Sequence, residues 1–189
     1  SARLSFLAPE SPLPPSLLAG IIEAMTVQVG ERGGLHIQAE VDSDQPLYES
    51  LRQVGFGVYA RQRIWRLDSS ATGQTLPGLR RAHAGTDMAA TRFLYANLVP
   101  GLVQQVEPPP ASQPQGMVLY KGNELLVYVE IRYGARGIWA QPFVHPDAEA
   151  VAEPLISVLR DLPNRRTRPV YVCVRSYQSW LEPVIDRLG

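Results

Sequence analysis

The chain has one cysteine, Cys173, among 189 residues, which excludes a disulfide framework built within it. That cysteine lies in the apolar run Val170 to Val174, where a small buried core residue is expected rather than a nucleophile. Long hydrophobic runs are also missing. No stretch reaches the ~18–20 uninterrupted apolar residues of a membrane helix. Ser1 to Glu10 lacks a basic segment followed by an apolar run, so no signal peptide is read there. A cytoplasmic protein without membrane contact is expected. Neither sign of charge is in excess: 18 basic residues balance 18 acidic ones, with a pI near 6.8. A nucleic-acid binder normally carries a basic surplus, so nucleic acid is not an expected partner. Lysine is nearly absent, with Lys121 against 17 arginines. Arg165, Arg166 and Arg168 cluster in a turn that reads as a solvated loop.

Familiar chemical signatures are missing as well. His36, His83 and His145 are far apart and show no metal-ligand spacing, so no metal is expected. Asp42 and Asp44 read as helix caps rather than as a metal pair. No nucleophile elbow, P-loop or dinucleotide fingerprint occurs.

What remains is a mixed α/β pattern. Residues 1–8 read as a strand and Pro9 to Pro15 as a turn. Ser16 then caps a helix through Leu17, Leu18, Ile21, Ile22 and Met25. Gly30 to Gly34 breaks that helix, and Leu35 to Val41 alternates as a strand. A second helix through Leu47, Leu51 and Val54 ends at Gly55. Phe56 to Leu67 reads as a long strand or bent hairpin with a bulge or a switch of face. Residues 69–77 form a linker.

A short strand from Leu79 to His83 follows, then a helix capped by Thr86 or Asp87. Pro100 interrupts it or starts a second helical turn. Met117 to Lys121 and Glu124 to Tyr133 flank Gly122-Asn123, a hairpin signal. Ile138 to Val144 adds a third antiparallel strand. A helix around Leu155 to Leu159, a strand from Val170 to Val174 and a helix from Leu181 then repeat the order of residues 1–55. Internal duplication accounts for that recurrence, giving residues 1–68 as the closing half of one unit and 78–189 as a second unit without its closing strand.

Three local features resemble the GNAT acyl-CoA N-acyltransferase superfamily. Leu79 to Asp87 is similar to the opening strand and capped helix of such domains. Val144-His145-Pro146 is similar to the V-x-P that ends their fourth strand. Leu47 to Phe56, with its Gly55-Phe56 pair and Tyr59 beyond, is similar to their last helix and closing strands. The resemblance implies a mixed-sheet GNAT-like fold in two diverged copies, the first partial. It also implies acyl-CoA, such as acetyl-CoA, bound where the fourth and fifth strands part, which places the cofactor against Phe143, Val144 and His145.

The family holds the cofactor pyrophosphate on a glycine-rich loop at a helix N-terminus, where backbone donors and the dipole favour anions. Pro9 to Ser16 has four prolines and no glycine there, and Pro146 to Pro154 has Asp147, Glu149 and Glu153 instead. Many members place a tyrosine four residues before the Gly-Phe glycine as general acid. Here Leu51 and Ile185 stand at that distance from Gly55 and Gly189, with Tyr48 one turn upstream of Leu51. Some members use a central-strand glutamate as base toward an amine, a position matched by Glu130, and His145 lies nearest the expected cleft. Trp139 and Phe143 share a face as packing or pocket-wall residues.

Two functions follow from the resemblance: acyl transfer from acyl-CoA to an amine, or a catalytically inactive ligand-binding or protein-interaction module. A cleft with free strand-four backbone groups favours the first, and a cleft filled by a side chain favours the second. Incomplete sheets expose edges, so a homodimer, or two partial copies completing each other, is expected.

Overall fold

The computed structural model describes residues 2–4, 14–67, 79–107, 109, 115–148, 155, 157–159, 162 and 168–188. The glycine-poor segments expected at the pyrophosphate position and the linker lie largely outside these residues. The chain divides into two compact units, Ser1–Tyr59 and Ala60–Gly189.

In the first unit, strand β1 (Ala2–Leu4) pairs in parallel with β2 (Ile37–Ala39), and helix α1 (Pro15–Glu31) joins them. The helix starts one residue before Ser16, which lies within the first turn and makes no cap. Pro14 takes the cap position and its carbonyl accepts the Leu17 and Leu18 N–H groups. Proline at the first helical position forfeits only a donor that has no partner in any case. Asp42 does not cap the next helix either. Its carboxylate accepts the Asp44 N–H (3.2 Å) in a turn ahead of α2 (Pro46–Gln53). Gly55 ends α2 as expected, at φ 98°, with Phe56 N–H donating to the Leu51 carbonyl and Gly55 N–H to that of Arg52. This paired closure needs a left-handed residue, which glycine supplies at no steric cost. Leu18, Ile22 and Leu51 form the unit's core.

The second unit is built on a six-stranded sheet, in the order β3 (Gln62–Leu67), β8 (Val170–Arg175), β7 (Ile138–Val144), β6 (Glu124–Tyr133), β5 (Gly116–Lys121), β4 (Leu79–Arg81). All neighbours are antiparallel except β7 and β8. The expected hairpin forms, with Gly122 at φ 60° in its turn. Only the last six residues of the expected strand 56–67 join a ladder. They run antiparallel to β8 from Gln62 opposite Arg175 to Leu67 opposite Val170.

Helix α3 (Ala84–Leu98) begins at His83, upstream of the expected caps. Asp87 instead reaches back from inside the helix to the His83 N–H (2.7 Å), takes two bonds from Arg80 (2.6 and 2.7 Å) and accepts the Tyr120 hydroxyl (2.9 Å). One carboxylate thus ties β4, α3 and β5 together. A short helix α4 (Gly101–Val106) follows Pro100.

Opposed residues in a ladder share a face. Tyr128 and Phe143, Glu130 and Gln141, and Arg132 and Trp139 therefore lie on one face, which α3 covers through Tyr95. Val127, Val129 and Ile131 lie on the other. That face carries the main core, with Ile138, Ala140, Val172, Leu155, Leu159, Leu181 and Ile185. Among the described residues no helix is long and apolar enough to cross a membrane.

Candidate functional site

The two parallel strands part company at Pro142. Residues 138, 140, 142 and 144 of β7 turn their backbone groups toward β8, since those of the alternate residues face β6. The β7–β8 ladder ends at Ala140 opposite Val172, although both strands continue. Proline has no N–H to offer an adjoining strand, so the ladder cannot be carried through that position in full. Beyond it, β7 would present the Pro142 carbonyl and the Val144 N–H to an open gap. Buried backbone groups need partners, and their loss is costly.

Gln178 supplies them. It follows β8 in the 3-10 segment Ser176–Leu181, and its side chain is wholly buried. Its Oε1 accepts the Val144 N–H at 2.9 Å, and its Nε2 donates to the Pro142 carbonyl at 2.9 Å. The Val144 nitrogen can only donate and the carbonyl can only accept, so the amide has one workable orientation. The side-chain amide replaces the next peptide group of β8. Gln178 went unrecognised in the sequence. Pro142 within an apolar strand run was the available signal, because it marks an interrupted ladder.

The residues expected to meet a cofactor are occupied in other ways. The Val144 side chain belongs to the main core. The Phe143 ring lies against Tyr128 (centroids 5.9 Å, stacked) and Tyr95 (5.8 Å, tilted) and is 3% exposed. His145 donates its backbone N–H to the Leu126 carbonyl (2.8 Å), and its Nδ1 accepts the Asp147 N–H (3.2 Å). Glu130 sits on β6, where both carboxylate oxygens accept from Arg132 at 3.2 Å. Tyr48 is on α2 in the first unit, so it belongs to a different compact unit from Glu130 and His145. Cys173 is fully buried and its thiol donates to the Gln62 side chain (3.2 Å), in keeping with a core role.

On the α3 face a polar cluster lies over the C-terminal end of β8. Arg175 grips both oxygens of Glu107 at 2.6 and 2.8 Å, and the Tyr95 hydroxyl donates to the Glu107 carbonyl (3.1 Å). Burial, and then the charge of Glu107, pushes the Tyr95 phenol up to about 12. Burial also raises the phenols of Tyr128 and Tyr177. Tyrosines held neutral and an arginine clamped to a carboxylate bind and position well but exchange protons poorly near neutral pH. Among the described residues no group of three or more His, Cys, Asp or Glu side chains is placed to hold a metal.

No protein-family model matches the chain, and no curated protein matches it. Solved structures do. A conserved protein of unknown function from Staphylococcus epidermidis aligns over 91% of this chain and 76% of its own, with a TM-score of 0.64 and 12% identity. A GCN5-related N-acetyltransferase from Sphaerobacter thermophilus aligns over 85% of this chain with a TM-score of 0.53 and 11% identity. This chain spans 59% of that acetyltransferase's length. At such identities the likeness is one of fold, and one fold hosts many functions. The chain has a GNAT-like mixed α/β fold.

Proposed function

We propose that this chain is a non-catalytic GNAT-like ligand-binding module, derived from a duplicated unit, whose β7–β8 gap does not take acyl-CoA. The observation that carries this reading is the buried Gln178 amide bonded to the Pro142 carbonyl and the Val144 N–H. A cofactor lying along β7 would have to displace that amide and leave it unpaired in the core, at a cost of about 1–3 kcal/mol per group. Duplication finds support in two parallel strand pairs, β1 with β2 across α1 and β7 with β8 across a stretch that is helical at its described residues 155 and 157–159.

The competing reading is acyl transfer from acyl-CoA to an amine. One observation favours it: the β7–β8 ladder stops after Ala140, where the resemblance implies that acyl-CoA enters. Isothermal titration with acetyl-CoA and with CoA separates the two. The module reading expects no saturable heat up to ~1 mM of either ligand, whereas a Kd of ~10 μM or tighter supports the enzyme and an amine screen.

A further inference from the structure

A cavity of about 680 Å3 opens in the second unit between one face of α3 and the end of the β5–β6 hairpin, and of the three residues expected to meet a cofactor it is lined by His145. Its floor is apolar. Ala89, Ala90, Phe93 and Leu94 come from α3, and Leu125 comes from β6. The spacing of the helical residues puts them on one side of α3. Two alanines leave the room, and Phe93 stands 72% exposed at the wall, with an aromatic face for a ligand to cover. The cavity is open to solvent on one side, and its volume lies within the range of ligand pockets, roughly 300–1,000 Å3, with room for more than a single amino acid.

The rim is polar and bears both signs of charge. Lys121 and Glu124 are cross-strand partners on either side of the Gly122-Asn123 turn, and both line the cavity. The salt bridges formed by the described residues of this unit engage neither of them. Asn97, Asn123 and His145 complete the rim. A cation and an anion side by side over an apolar floor match a ligand whose own anion and cation flank apolar groups.

We propose that this cavity binds a zwitterionic dipeptide with two apolar side chains, its carboxylate on Lys121 and its ammonium on Glu124. The assignment rests on the ligand-module reading and names that module's ligand class. The side chains lie against Ala90, Phe93, Leu94 and Leu125. Both charges are recognised at once, so a ligand that lacks either one binds less well.

Isothermal titration with leucyl-phenylalanine tests this, alongside phenylalanine, 3-phenylpropionate (no ammonium) and phenethylamine (no carboxylate). The dipeptide is expected to bind with a Kd below ~1 mM. Lys121→Met and Glu124→Gln are each expected to weaken it by about tenfold. Phenylpropionate is weakened only by the first variant and phenethylamine only by the second. Both substitutions are at exposed hairpin positions, and thermal melts of the variants are the check that they fold. Ala90→Trp fills the floor and abolishes binding of every ligand. Absence of saturable dipeptide binding up to ~10 mM, or wild-type affinity in either charge variant, overturns the proposal. Tighter binding of phenylalanine than of the dipeptide overturns the dipeptide assignment. CoA is titrated in the same series. Micromolar CoA binding refutes the module reading, whereas silence toward both CoA and dipeptide refutes the dipeptide site alone.

Discussion

Gln178 and Asp87 are buried side chains that each bond more than one neighbouring group. Replacing Gln178 with leucine keeps the bulk but leaves the Pro142 carbonyl and the Val144 N–H without their partner. Stability is expected to fall by about 2–4 kcal/mol, read as a shift in the urea midpoint at unchanged slope. Asp87 is 1% exposed and is held well below the usual carboxylate range, first by the Arg80 hydrogen bonds, against the opposing effect of burial. A carboxylate whose folded pKa is depressed contributes stability that is complete above its unfolded pKa of ~3.9 and is lost as pH falls from there toward the folded value. Asp87→Asn is expected to cost about 2–3 kcal/mol at neutral pH, less than a fully buried pair because Arg80 is half exposed. The gap between wild type and variant then narrows as pH drops from ~4 toward 2 in matched urea titrations.

At the scale of elements, close approach of strands leaves little tolerance. A Cβ on Gly116 would lie 1.9 Å from the Val129 carbonyl oxygen of the neighbouring strand, a backbone atom that cannot step aside. Gly116→Ala is expected to cost about 2–4 kcal/mol, seen as a lowered denaturation midpoint. The β5–β6–β7 meander was legible in the sequence because Gly122-Asn123 and flanking β-rich runs encode it locally. The end of α2 was legible from Gly55 for the same reason. Helix starts were less so. Ser16, Asp42, Thr86 and Asp87 all have cap chemistry, yet Pro14, Gln45 and His83 hold the cap positions. Short polar side chains can bond backbone in turns as well as in caps, and neighbouring prolines and tertiary partners decide which. The partnering of β3 with β8 spans more than a hundred residues, and no local pattern encodes it. The same holds for Gln178, whose role exists only once Pro142 has ended the ladder beside it.

On the scale of the whole molecule, fold and site give different information. The GNAT-like fold brings β7 and β8 together in parallel and ends their ladder at Ala140, where the resemblance implies a cofactor cleft. The side chains then decide whether the cleft is open. Glu130 is engaged by Arg132, Phe143 by two tyrosines and the Val144 N–H by Gln178. These occupants favour a closed interior. The most direct measurement is amide hydrogen exchange at Val144, followed by NMR with and without ~1 mM CoA. The closed cleft predicts a strongly protected Val144 amide, unchanged by CoA and exposed in Gln178→Ala. Rapid exchange in the wild-type protein, or a Val144 resonance that shifts with CoA, contradicts it.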